Sequence, residues 1–231
     1  MILSGWTILS LLNFLIPAYC SVIAKRAALN LPFSTAGRDI VDHNGKVFYY
    51  KGTNWPGHQE IMIPEGLQHA SIKDIVAWIP KLGLNSVRMT FAIEMIDDIY
   101  SNSTNQSLEK SVIKALGSKN GTLVLGQILQ HNPQFTKDTT RLQVWDAVAK
   151  ELSNQGVVLH LDNHVSKAFW CCGENDGNGW FGEKYFNVNN WIRGWSFIAQ
   201  HVRDLSPSLL QANVRTGQRE LAQLCIGRST Q

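Results

Sequence analysis

Residues 157–182, VVLHLDNHVSKAFWCCGENDGNGWFG, decide the fold. The apolar run opens just after Gly156, which ends a helical pattern, then meets His160, Asp162 and His164 and gives way to a long loop of glycine and aromatic residues. A strand entered by a tight glycine turn and left through a long loop is part of a β/α unit. Alternation along such a strand sends His160, Asp162 and His164 to one face.

The same punctuation recurs upstream. YKGTNWPG, residues 50–57, is a short strand ending in a Gly/Pro loop, and NSVRMTF, residues 85–91, is an apolar strand interrupted by Arg88. Between them Ser71 caps a helix whose apolar positions are Ile72, Ile75, Val76, Ile79 and Leu82, with Pro80 as a late kink and Gly83 as the stop. After the second strand comes a long polar connection with a short helix over residues 107–116. Thr139 or Thr140 then caps a helix running to Gln155, with Leu142, Val144, Trp145, Val148 and Leu152 on its apolar side. A last helix, residues 190–202, carries Trp191, Trp195, Ile198 and Val202 on one stripe, and Asp42-His43-Asn44-Gly45 reads as the turn of an N-terminal hairpin.

Strands alternating with helices predict an α/β fold with a parallel sheet, and long loops after strands opposed to tight turns after helices predict a (β/α)8 TIM barrel whose working face lies at the strands' C-terminal ends. A doubly wound sheet would place a glycine-rich phosphate loop after the first strand, and TNWPGHQE contains none. A complete barrel takes about 250 residues. The pattern here shows three or four units, so the barrel is expected to be truncated after the third or fourth.

The 21 basic residues stand against 18 acidic ones, for a net charge of +3, and are scattered, so no nucleic-acid partner is expected. The first 24 residues carry no charge, and their apolar centre, residues 6–16, is too short for a bilayer: residues 1–24 read as a secretory signal peptide, cleaved near Ala24 or after Lys25-Arg26. The remainder divides into a leader or processing segment (residues 25–34), the barrel portion (35–207) and an atypical tail (208–231), with no membrane span left after cleavage. Export to the extracellular space fits three glycosylation sequons, at Asn102, Asn105 and Asn120. Cleavage removes Cys20 and leaves Cys171, Cys172 and Cys225. Adjacent cysteines rarely bond each other, so Cys225 is the expected partner of Cys171 or of Cys172.

Several side chains mark a site. His160, Asp162 and His164 could ligate zinc, but no second His/Asp cluster follows another strand, and His58 alone could add to them. The metal-free reading is therefore preferred, with no metal or other cofactor expected. Arg88, inside an apolar strand, requires a carboxylate partner to offset desolvation. Trp55, Trp170, Trp180 and Phe181 fall in loops after strands, where aromatic faces can stack on a sugar, whereas Trp78, Trp145, Trp191 and Trp195 sit on helices and read as core.

Together GRDIVDHNGKVFYYKGTNWPGH, LGLNSVRMTF and the opening segment resemble the cellulase family, glycoside hydrolase family five, in particular its secreted fungal members, over about residues 35–207. The resemblance implies a barrel that hydrolyses β-linked glycosides with retention, using two glutamates. It casts Arg88 as the second-strand arginine that hydrogen-bonds the nucleophile, and His164, with Asn163 beside it, as the third-strand wall of the sugar subsite; Trp55 and Trp180, from their loop positions, are the expected stacking faces for a β-linked glycan. One departure is decisive: retaining hydrolysis needs two carboxyl groups about 5 Å apart. The family's acid/base belongs to an Asn-Glu pair, and no Asn-Glu dipeptide occurs in the sequence. Beyond Pro207 the chain reads SLLQANVRTGQRELAQLCIGRSTQ, with Glu220 in a helix-like context. Glu60, Glu94, Asp97, Glu174, Asp176 and Glu183 are read as solvated loop acids. The expectation is a glycosidase lineage without its catalytic residues, the alternative a non-catalytic carbohydrate-binding remnant.

Overall fold

The computed structural model describes residues 30–171, 173, 175–178 and 181–205. The expected signal peptide and the tail from residue 208 lie outside the described residues, as do Cys172, Glu174 and Trp180. Among the described residues no helix is long and apolar enough to cross a membrane.

The chain opens with an antiparallel ribbon, β1 (Ser34–Ala36) and β2 (Asp39–Val41), turning at Gly37 with φ 59°. The hairpin expected across Asn44-Gly45 shrinks to a bridge between Val41 and Val47 plus a bond from the Phe48 amide to the Ile40 carbonyl. Asp42 rounds that corner by accepting the Asn44 and Lys46 amides at 2.9 Å each. The Lys51 amide then donates to the Asn85 side chain, which steers the chain into the main sheet.

That sheet contains β3 (Gly52–Trp55), β4 (Ser86–Ala92) and β5 (Val158–Val165), parallel and in the order 3-4-5. Three parallel strands in consecutive order are what one side of a barrel presents. Register places Asn54 beside Arg88, Arg88 beside His160 and Thr90 beside Asp162. One face presents Val87, Met89, Phe91, Leu159 and Leu161 to the helices, where all are buried with Val76, Val144, Val148, Leu152 and Trp195 in one core. The other face, carrying Ser86, Arg88, Thr90, His160, Asp162 and His164, is the inner face.

The helices are α1 (Ile72–Lys81), α2 (Glu94–Asn102), α3 (Leu108–His131), α4 (Arg141–Asn154) and α5 (Val188–Leu205). Capping explains the two legible starts: Ser71 accepts the Asp74 amide, and Thr140 forms a reciprocal capping box with Gln143. Two helical stretches exceed expectation. Residues 94–102 form α2 although their sequence is polar, because Asp97 and Asp98 find partners: Arg193 and Asn190 for the first, Arg141 at 2.7 Å for the second. The expected helix over residues 107–116 continues past a break at Gly117 (φ 74°, ψ 165°) to His131. Gly121 permits the return pass, since a Cβ there would stand 2.9 Å from Ile113 Cα. Trp78, read as core, is instead 60% exposed, because Ile72, Val76 and Ile79 form the buried stripe and Trp78 falls off it.

Candidate functional site

The inner face gathers its polar groups at the C-terminal ends of the strands. Asp162, fully buried, pairs through Oδ2 with the Arg88 guanidinium and lies 3.0 Å from His164 Nδ1. Arg88 therefore has the carboxylate partner its sequence context demanded. It is not buried, however: its side chain is 36% exposed, because the inner face opens into a cavity of about 560 Å³ whose lining includes Tyr50, Asn54, Arg88 and His160.

The β3–α1 loop brings a third group. His58 is buried, its Nδ1 lies 2.7 Å from Thr90 Oγ1, and its ring stacks obliquely on His164 with centroids 4.6 Å apart. Gly57 makes this approach possible, since a Cβ there would meet the Trp145 ring at 2.7 Å and the Thr90 carbonyl at 3.0 Å. Trp145 fixes the same loop by donating Nε1–H to the Met62 carbonyl at 3.1 Å. Burial pushes the His58 pKa down to about 4, with the charges of His164 and Arg88 acting in the same direction and Asp162 opposing them. His58 is thus a neutral imidazole near pH 7.

Cys171 closes the cluster. Its sulfur lies 3.0 Å from His164 Nε2, and it takes part in a disulfide. The expected partners, Cys172 and Cys225, lie outside the described residues.

The other sequence-predicted residues divide. Trp55 is 7% exposed, packs in the core and donates Nε1–H to the Glu65 carbonyl, so its face is not presented to a ligand. Asn163 belongs to the opposite strand face from Asp162 and His164: fully buried, it donates to the Val165 carbonyl at 2.9 Å beside the irregularity where β5 slips against β4. Its side chain shapes the strand end and does not line the cleft. Trp180 lies outside the described residues, while Trp170 is 74% exposed. His160 lies on the inner face with its ring edge-on to Tyr50, and the proposed zinc trio of His160, Asp162 and His164 does not converge; the metal-capable group among the described residues is His58, His164 and Cys171. Glu94 and Asp97 are helical, not loop, acids: Glu94 accepts the Ala168 amide and Asp97 holds α5. Among the described residues the inner rows of the three strands carry one carboxylate, Asp162.

No family model matches the chain. Curated relatives do. A glycosyl hydrolase 5 family protein of Chamaecyparis obtusa is 34% identical over 203 residues, covering 87% of this chain and 35% of its own. Most of this chain is thus similar to part of a family 5 glycosyl hydrolase. An endoglucanase of Paenibacillus polymyxa is 24% identical over 88% of the chain and 44% of its own length. The chain thus spans between a third and a half of these two relatives. Solved cellulase structures agree with the barrel reading. The endocellulase of Pyrococcus horikoshii, solved with cellotetraose, superposes with a TM-score of 0.57 at 16% identity, over 81% of this chain and 42% of that one. The catalytic domain of the major endoglucanase of Xanthomonas campestris pv. campestris gives 0.54 at 20% identity, over 75% and 42%. At such identities the likeness concerns the fold alone, an α/β arrangement that matches part of a TIM-barrel cellulase domain.

Proposed function

We propose that the chain forms the first three β/α units of an extracellular family 5 glycosidase barrel, and that His58, Arg88 and His164 make one wall of its cleft for a β-linked glycan. The observation that carries this reading is the Arg88–Asp162–His164 network at the C-terminal strand ends, with the His58 ring against it. A guanidinium and imidazoles oriented by a buried carboxylate are suited to ring hydroxyls, because their donors are held in place before the sugar arrives. The exposed Trp170 supplies a stacking face at the rim.

Retaining hydrolysis, the chemistry of the lineage, requires a second and a third carboxyl group beyond Asp162, which is already engaged by Arg88 and His164. With no Asn-Glu dipeptide in its 231 residues, the chain by itself binds glycan without cleaving it. Glycans on Asn102 and Asn120, both exposed, accord with an exported protein; Asn105 is half-buried, which disfavours a glycan there.

The test is a pull-down of the purified chain on insoluble β-glucan, with release of reducing sugar followed in parallel. Retention that falls at least tenfold in His164→Ala, with no sugar released, supports the proposal. Retention unaffected by His164→Ala, or absent in a folded wild type, removes this wall as a glycan site.

A further inference from the structure

The His58–His164–Cys171 cluster is built in a way that sugar binding does not require. One donor atom from each of the three lies within 4.8 Å of the others. Each imidazole is held through Nδ1: His58 lies 2.7 Å from Thr90 Oγ1, and His164 lies 3.0 Å from Asp162 Oδ2 and 3.4 Å from the Arg88 guanidinium. A histidine that donates its Nδ1–H to an oxygen carries its lone pair on Nε2, and that is how metal-ligating histidines are oriented. His58 Nε2 is buried and has no hydrogen-bond partner, an orphan polar atom in a side chain that is more than nine-tenths buried. His164 Nε2 faces the Cys171 sulfur at 3.0 Å. The missing component of a transition-metal site is a thiolate, because Cys171 is held in a disulfide.

We infer that reduction of the Cys171 disulfide converts this cluster into a binding site for a divalent, thiolate-seeking cation such as Zn2+, with His58, His164 and Cys171 as ligands and a water in the fourth position. A dithiol supplies the two electrons: the protein S–S bond breaks into two thiols while the dithiol closes to its own cyclic disulfide. Metal binding then releases the Cys171 thiol proton and forms the metal–sulfur bond. Tetrahedral zinc places its donors about 3.3–3.6 Å apart, so the widest pair has to close by roughly 1 Å while His164 Nε2 and the Cys171 sulfur, 3.0 Å apart, separate slightly, within reach of side-chain rotation. The donor set of two imidazoles and one thiolate selects Zn2+ or Co2+ over Mg2+ or Ca2+, which prefer oxygen. A cation there occupies the space in front of His164, so the disulfide keeps the proposed cleft free of metal in an oxidising compartment. This inference goes beyond the glycan reading and does not depend on it.

The experiment titrates Co2+ into the full-length purified chain, either untreated or reduced with dithiothreitol and desalted anaerobically, and reads the thiolate-to-cobalt charge-transfer band and bound metal per chain. The reduced chain is expected to take up one Co2+ with that band and to exchange it for Zn2+, the untreated chain none. Cys171→Ser is expected to abolish the band, and His58→Gln to weaken affinity at least tenfold. A reduced, folded wild type without the band, or a band unchanged in both variants, overturns the inference. If reduction unfolds the chain by circular dichroism, Cys171→His supplies the third ligand without reductant. One Zn2+ per chain in that variant then supports the site, and failure to bind Zn2+ overturns it.

Discussion

Arg88 shows how far a single residue can be read. A guanidinium in an apolar strand had to meet a carboxylate, and it meets Asp162; what the sequence could not show is that the partner comes from the neighbouring strand, one inward position beyond the residue level with Arg88. Because Asp162 is buried, Asp162→Asn leaves Arg88 unpaired and is expected to cost about 2 kcal/mol, the buried-pair figure reduced for the partial exposure of Arg88. Urea denaturation of the two proteins checks this, and a midpoint unchanged by the substitution contradicts it. His58 gives a pH dependence. Its folded-state pKa of about 4 lies below the ordinary 6.5, so the unfolded chain takes up the proton first. Its contribution is complete above pH 6.5 and is lost as pH falls toward 4, by as much as about 3 kcal/mol. The urea midpoint should therefore drop less between pH 7 and pH 4.5 in His58→Gln than in wild type. Equal drops would mean that His58 is not held neutral.

At the level of elements, what was legible had a local cause. Ser71 and Thr140 announce α1 and α4 by side chains that cap their own helices, and Gly156 announces β5 through its positive φ of 66°. Thr140→Ala should lower stability by about 1 kcal/mol through loss of the capping box, read as a shift in thermal midpoint. What was missed depends on distant partners. α2 is polar in sequence and held from outside by Arg141 and Arg193, while α3 turns at Gly117 and packs back on itself at Gly121. The loop that delivers His58 was legible as a loop but not in its path, which Trp145 and Thr90 determine from elsewhere in the chain. Gly57→Ala tests that path. Its methyl group meets Trp145 and Thr90, so a loss of about 1–3 kcal/mol is expected, together with at least a tenfold loss of glycan retention. Normal retention would mean that the loop does not position the site.

Across the three units together, period-2 strands between capped helices were enough to predict a parallel sheet, and its 3-4-5 order agrees with the barrel likeness of the solved cellulases. The inward row was equally legible, because alternation alone placed His160, Asp162 and His164 on one face. The division of labour along that row was not: His160 lies low against Tyr50, while His164 reaches the rim and meets His58 and Cys171, contacts made by loops whose course no periodicity encodes. Asn163 and Trp55 failed as site residues for a related reason. Both belong to the strand ends, but their side chains serve the packing behind the sheet. The inner face thus carries one guanidinium and two imidazoles oriented by a buried carboxylate, and the proposed function rests on whether sugar hydroxyls bind there. Isothermal titration of cellotetraose into the purified chain, beside Arg88→Met and His164→Ala, measures this directly. Saturable binding to wild type that each substitution weakens at least tenfold is the predicted result. Binding of equal strength in all three proteins, or none in a folded wild type, would contradict it.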